Sequence, residues 1–120
     1  MTKDIITVKE LDSIERCRDL VQDRRIHHLL VENNEGSLVG IISTEDILKN
    51  YSNIFNDKIQ ASHIMSPSPE TINENDPKLN AVTIFINRLY RALPVVDNDN
   101  NLVGIITPFD LLRSIYDQNT

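Results

Sequence analysis

The sequence predicts an α/β (α+β) protein built from two copies of one β-α-β unit, and three observations carry that prediction. Leu38-Val39-Gly40-Ile41-Ile42-Ser43 recurs as Leu102-Val103-Gly104-Ile105-Ile106-Thr107, an offset of 64 residues. The same ungapped offset pairs Thr7 with Thr71, Asp12 with Asp76, Arg24 with Arg88, Leu29 with Leu93, Val31 with Val95, Asn34 with Asn98 and Asp46 with Asp110. The chain has 120 residues, enough for one compact domain, whereas half of it, at roughly 50–60 residues, buries little core alone. A long period present only twice marks an internal duplication, because a solenoid needs three or more repeats. The expected organisation is a single module over 1–120, with repeat one at 1–56, a linker at 57–69 and repeat two at 70–120.

Each element follows from local chemistry. Asp12 is a good N-cap, and Ile14, Cys17 and Val21 follow at helical spacing. In the second copy Asp76 caps, Pro77 takes the first helical position, and Leu79, Val82 and Ile86 form the apolar stripe. Short apolar strands come next, Leu29-Leu30-Val31 and Leu93-Pro94-Val95-Val96. The turns after them, Asn33-Asn34-Glu35-Gly36 and Asp97-Asn98-Asp99-Asn100-Asn101, are rich in residues that tolerate left-handed backbone. Leu38–Ile42 and Leu102–Ile106 then complete hairpins. Ser43 or Thr44, and Thr107, cap a last helix in each copy, with Pro108 again at a first helical position. Ile47 and Leu48 supply one apolar face there, and Leu111, Leu112 and Ile115 the other. Ser66-Pro67-Ser68-Pro69 joins the copies and excludes helix. The offset lays Met65-Ser66 over Met1-Thr2, so the first copy is expected to start at the beginning of the chain.

Composition excludes several classes of function. The net charge of −6 argues against general nucleic-acid binding, which needs a basic surface. Cys17 is the one cysteine, so no internal disulfide forms, which fits a reducing cytoplasm. No apolar run approaches the ~20 residues of a membrane span, and Met1–Ile5 lacks a signal-peptide core. The expectation is a cytoplasmic protein without nucleic-acid or membrane partners. There is no Gly-rich phosphate loop with Lys, no closely spaced metal-ligand set and no serine elbow. His27 and His28 are adjacent, so in a strand they point to opposite faces. Cys17 has no evident base partner. Neither catalysis, nor a metal, nor a catalytic cofactor is expected.

Asp46 and Asp110 each stand three residues past a Ser/Thr cap. They read either as first-turn acids favoured by the helix dipole or as acceptors for the 2′- and 3′-hydroxyls of a ribose. The cap hydroxyls of Ser43 and Thr107, with the helix amides nearby, suit phosphate or ribose.

Gly40-Ile41-Ile42-Ser43-Thr44-Glu45-Asp46 and Gly104-Ile105-Ile106-Thr107-Pro108-Phe109-Asp110 resemble the Gly-apolar-apolar-Ser/Thr-x-x-Asp pattern of the cystathionine-β-synthase (CBS) domain. Leu93-Pro94-Val95-Val96-Asp97 resembles that family's preceding strand, and His63-Ile64-Met65-Ser66-Pro67 its linker opening. The resemblance covers nearly the whole chain. It implies a tandem pair packed through its sheets with pseudo-twofold symmetry, two clefts between the copies, and adenosine ligands held there as a regulatory signal. It implies AMP, ADP or ATP as ligand, with S-adenosylmethionine and NAD as further candidates, a homodimer, and a regulated partner protein. By position it assigns Ile41 and Ile105 to walls of an adenine pocket, Cys17 and Ala81 to small residues beside it, and Ile26 and Tyr90 to an apolar slot. It places His27 and His28, with Arg91 and Ala92 as their counterparts, where family members touch phosphates. From the residues alone, His27 and His28 also read as ordinary strand-edge residues, and the apolar set as plain core. Departures stand out: Ala92 where copy one has His28, Leu30 against Pro94, and Glu32 against Val96. The alternative function is a ligand-free interaction and dimerisation module using the helices near Ile47, Leu48, Leu111, Leu112 and Ile115.

Overall fold

A computed structural model describes residues 1, 3–88 and 90–118, the last by its backbone alone. Its elements run β1 (Thr7–Lys9), α1 (Ile14–Arg24), β2 (His28–Glu32), β3 (Leu38–Ser43), α2 (Thr44–Lys49), a 3₁₀ turn (Tyr51–Asn53), α3 (Ala61–Ile64), β4 (Ser66–Pro67), β5 (Ile72–Asn73), α4 (Lys78–Arg88), β6 (Leu93–Val96), β7 (Leu102–Ile106) and α5 (Pro108–Gln118). The β-α-β-β-α order occurs twice, and the first residues of α1 and α4 stand 64 positions apart. The equivalence of Thr2 with Ser66 lies outside the described residues.

The chain divides into two compact units, Ile6–Pro69 and a second that joins Met1–Ile5 to the residues from Glu70 onward. The stretch 57–69, between the repeats in sequence, holds α3 and β4 and belongs to the first unit. In that unit the sheet order is β1-β2-β3-β4. β1 runs parallel to β2, with Val8 opposite Val31, and β2 antiparallel to β3, with Leu30 opposite Ile41 and Leu29 opposite Ile42. The second unit repeats the plan in three strands, β5-β6-β7, with Ile72 opposite Val95 and Pro94 opposite Ile105. Both hairpins carry an irregularity at the same place, Val31/Glu32 and Val95/Val96. Their turns close alike. The Asn33 side chain accepts from the amides of Glu35 and Ser37, and the Asp97 side chain from those of Asp99 and Asn101. The left-handed position is Gly36 in one turn and Asn100 in the other, two residue types that adopt it at low cost.

Two helix expectations need correction. Ser13, not Asp12, caps α1: its hydroxyl accepts from the Arg16 amide at 3.1 Å. The Asp12 carboxylate is engaged elsewhere, accepting from the Lys9 amide at 2.8 Å and facing Arg16 at 3.6 Å. Asp76 repeats this role by accepting from the Asn73 amide. In α4 the buried residues are Ala81 and Phe85, whereas Leu79 and Ile86 are 70% and 69% exposed. The i, i+4 pair wins the inward face. The last helices also split their apolar residues. Ile47 and Leu111 turn inward, while Leu48, Leu112 and Ile115 stay exposed.

The first core gathers Val8, Ile14, Cys17, Leu29, Val31, Ile42 and Ile47, and is closed by Ile54, Ala61 and Ile64. The second gathers Ile72, Ala81, Phe85, Leu93, Val95 and Leu111. Alternation along each strand puts these strand residues on one sheet face. Leu30 and Pro94 are buried on the other. Glu32 pairs at the sheet edge with the Lys9 ammonium, 3.4 Å away.

Gly40 is needed for close packing. A Cβ there would lie 2.8 Å from Met65 Cγ and overlap the Met65 sulfur. Gly40→Ala is expected to cost about 1–3 kcal/mol in urea denaturation. A Met65→Ala background should relieve most of that cost, because the two changes share one contact; a cost that stays the same would remove this reason for the glycine. Burial, and secondarily the charge of Asp12, pushes the Cys17 thiol from 9.0 up to about 11. The unfolded chain therefore loses this proton first as pH rises. The contribution is fully present below about pH 9 and is lost as pH climbs through about 11. A Cys17→Ala chain should show a flatter alkaline stability profile, and native Cys17 should react with a thiol reagent far more slowly than the urea-unfolded thiol.

Candidate functional site

The two strand-to-helix corners are closely matched polar structures. In the first unit β3 ends at Ser43, whose extended backbone turns the chain into α2. The Ser43 hydroxyl accepts from the Asp46 amide at 3.2 Å, and Asp46 Oδ2 accepts from the Ser43 amide at 2.8 Å and the Ser43 hydroxyl at 3.1 Å. The second unit repeats the box: Asp110 Oδ2 accepts from the Thr107 amide at 2.9 Å, and Thr107 Oγ1 accepts from the Asp110 amide at 3.2 Å. Both pairs are half-buried. Such reciprocal capping satisfies helix-start amides that otherwise have no partner. It also engages the amides of Asp46 and Asp110, among the helix-start amides near the caps. Among the described contacts each box engages Oδ2 alone, leaving Oδ1 as an acceptor for a further donor.

The strand register decides which expected residues share a face with these corners. His28 lies opposite Ser43 and Leu30 opposite Ile41, so His28, Ile41 and Ser43 lie on one face of the first sheet. His27, exposed, precedes the strand, and its carbonyl accepts from the Thr44 amide at 3.1 Å. In the second unit Ile105 lies opposite Pro94 on the corresponding face, beside the Thr107–Asp110 corner. Arg91 and Ala92 lead into β6, Arg91 exposed and Ala92 half-buried.

The remaining expected residues fall elsewhere. Cys17 is 0% exposed and packs with Leu29, Val31 and Ile42 on the opposite sheet face from Ile41, and Ile26 packs against that same core. Ala81 belongs to the second core, and Tyr90 is exposed. The sheet therefore stands between Cys17 and Ile41.

The second unit also holds a cavity of about 220 Å³ that single residues did not reveal in the sequence. Its floor is Ile72, Ala81, Val95, Ile106 and Leu111, and its rim carries Glu74, Asp76, Lys78, Asp110 and Ser114. Lys78 Nζ donates to the Ser114 hydroxyl across the mouth. The strand residue on this side is Ile106, the neighbour of the expected Ile105, because alternate side chains change face. A shallower depression of about 450 Å³ over α1 is lined by Ser13, Glu15, Arg16, Asp19, Leu20 and Asp23, and gives no apolar wall for a base. Among the described residues no group of His, Cys, Asp and Glu is placed to hold a metal ion, and no helix is long and apolar enough to cross a membrane.

Comparison with known proteins accounts for this duplicated plan. The crystal structure of CBSX2 from Arabidopsis thaliana in complex with AMP superimposes with a TM-score of 0.84 at 26% identity, over 100% of this chain and 95% of that one. The CBS domain pair of protein MJ0100, in complex with 5′-methylthioadenosine and S-adenosyl-L-methionine, gives 0.84 at 28% identity over 98% and 93%. Among curated relatives, homoserine O-acetyltransferase of Methanocorpusculum labreanum is 32% identical over 107 residues, which is 89% of this chain and 21% of the relative. Inosine-5′-monophosphate dehydrogenase of Methanocaldococcus jannaschii is 33% identical over 112 residues, 92% of this chain and 22% of the relative. The chain thus spans about a fifth of the length of these two enzymes. The CBS domain model matches residues 1–53 and again 61–117, and the chain belongs to the CBS-domain family, carrying two copies of that domain in tandem.

Proposed function

We propose that this chain is a regulatory ligand-sensing module, cytoplasmic, that binds an adenosine ligand at its strand-to-helix corners. The observation that carries the reading is the half-buried carboxylate of each corner, held rigidly by one oxygen with the other left over for a sugar hydroxyl. An isoleucine stands on the adjoining sheet face of each copy, Ile41 and Ile105. His27 and His28 stand at the start of β2 and Arg91 just before β6, the strands paired with those that end at the corners, in a chain of net charge −6. Two relatives above 25% identity were solved with AMP and with S-adenosyl-L-methionine and 5′-methylthioadenosine. Those complexes support the adenosyl part of the ligand most directly. AMP, ADP and ATP remain the leading candidates, with S-adenosylmethionine and NAD beside them. The output passes to a regulated partner, and catalysis is no part of this reading.

Isothermal titration with AMP, ADP, ATP, S-adenosylmethionine and NAD tests it. Binding by at least one is expected, and heat from none would sink the reading. Asp110→Asn keeps an acceptor for the Thr107 amide but loses the charge. It should weaken binding about tenfold, as for a hydrogen bond to a charged group, with the melting temperature nearly unchanged.

A second reading, a homodimerising interaction module, rests on exposed apolar residues at equivalent positions of α2 and α5: Leu48 is 68% exposed and Leu112 66%. Ile47 and Leu111 are buried and drop out of that surface. Light scattering should then show a dimer that Leu112→Asp dissociates; a monomer at high concentration would discard this reading.

A further inference from the structure

The loop that brings His28 to the first corner is fixed at three consecutive residues. Arg25 ends α1 in the left-handed conformation, at φ 53°. The Ile26 amide donates back to the Val21 carbonyl at 3.2 Å, and the Ile26 side chain packs against the first core. The His27 carbonyl accepts from the Thr44 amide at 3.1 Å. Thr44 is the first residue of α2, so its amide is one of the helix-start donors that find no acceptor inside the helix. The capping box engages the amides of Ser43 and Asp46, and the Thr44 amide between them is turned to the neighbouring loop. One residue further on, His28 enters β2 opposite Ser43, half-buried. Such cross-strand neighbours stand about 4.5–5.5 Å apart at Cβ.

Two of these restraints change in the second unit. Shifted by 64 residues, Thr44 becomes Pro108, Ile26 becomes Tyr90, and His27-His28 becomes Arg91-Ala92. Pro108 begins α5 and has no amide proton to give, so the main-chain tie from corner to loop cannot form there. Tyr90 is 40% exposed where Ile26 packs on the core. The reciprocal cap itself is kept in both units. The tie therefore accompanies the imidazole: the unit with His28 beside its cap has a donor at residue 44, and the unit with Ala92 has a proline.

We propose, on the adenosine reading of the corners, that Thr44 is a positioning residue of the first one. Its backbone amide, acting through the His27 carbonyl, holds the His28 imidazole beside the Ser43 cap. With the ribose diol at Asp46, the remaining polar group of the sugar is the one carried at the 5′ carbon, and a phosphate there accepts from an imidazole N–H. The tie makes the first corner the one that tells a nucleotide from its nucleoside.

Thr44→Pro removes the donor at little cost to the fold. Proline suits a first helical position, and Ser43 already has the extended backbone, φ −100° and ψ 165°, that precedes a proline. Thr44→Ala keeps the amide and loses the hydroxyl. Calorimetric titration compares AMP with adenosine in an Asp110→Asn background, which weakens the second corner. Thr44→Pro should weaken AMP about tenfold and leave adenosine within about twofold. Thr44→Ala should change neither, and in a His28→Ala background Thr44→Pro should add no further loss. An unchanged AMP affinity, an equal loss of adenosine, or a matching loss from Thr44→Ala would overturn the proposal. A measurement without ligand separates it from the reading beneath it. In the ligand-free chain the amide order parameters of His27 and His28 should fall from about 0.85 towards 0.6 in Thr44→Pro and stay in Thr44→Ala, and unchanged order in Thr44→Pro would overturn the positioning role. Uptake of neither probe by the unsubstituted chain would instead overturn the adenosine reading, and the nucleotide discrimination with it.

Discussion

The carboxylate that bonds back to its own helix cap is the constraint on which the rest of each unit hangs. A strand ending in Ser43 or Thr107 has to turn sharply into a helix, and the box made with Asp46 or Asp110 fixes that corner from both sides. A capping side chain is worth about 1 kcal/mol. Its larger effect is geometric, because the angle between β3 and α2, or β7 and α5, decides which helix residues reach the core. Ile47 and Leu111 do, and their neighbours Leu48 and Leu112 do not. The box occupies Oδ2, and the carboxylate is held half-buried in a fixed direction.

Below the shared corners the two units solve their core problem differently. The first buries Ile14 and Cys17 and then lays Ile54, Ala61 and Ile64 over them, so that its apolar side is closed. Burial is what pushes Cys17 up to about 11 and makes it a core residue in chemistry as well as position. The second unit places Lys78 and Ala81 at the matching positions and stays open on that side. A long cation cannot fill an apolar seat without losing hydration, so Lys78 reaches across the mouth to Ser114 instead. Lys78 and Ala81 thus line the cavity where Ile14 and Cys17 fill the first core.

The helices and hairpins common to the two repeats were legible in the sequence because the repeat reports them twice, whereas α3 and β4, which occur once in the stretch read as a linker, were not. The Asp46 and Asp110 corners were legible for the same reason. What escaped was settled at single-residue resolution. Asp12 and Ser13 are both good caps and adjacent, and only the bond from Lys9 to Asp12 shows which is free to cap. Leu79, Val82 and Ile86 form a helical stripe as good as Ala81 and Phe85 by spacing; tertiary packing chose the second. The separation of Cys17 from Ile41 depends on strand register, and a slip of one residue would have moved Ile41 to the core face. The cavity was hidden because its lining is drawn from residues far apart in sequence, Ile72, Ala81, Val95, Ile106 and Leu111.

The two strand-to-helix corners share some groups and differ in others. Both have the acid, the cap hydroxyl and the isoleucine. On the sheet face beside the cap, however, the first unit has the His28 imidazole opposite Ser43, while the equivalent of His28 is the methyl group of Ala92. An imidazole brings a donor and an acceptor to that face, and a methyl brings neither. Duplication has kept the acid, the cap hydroxyl and the isoleucine of each corner and varied the residue that stands beside the cap.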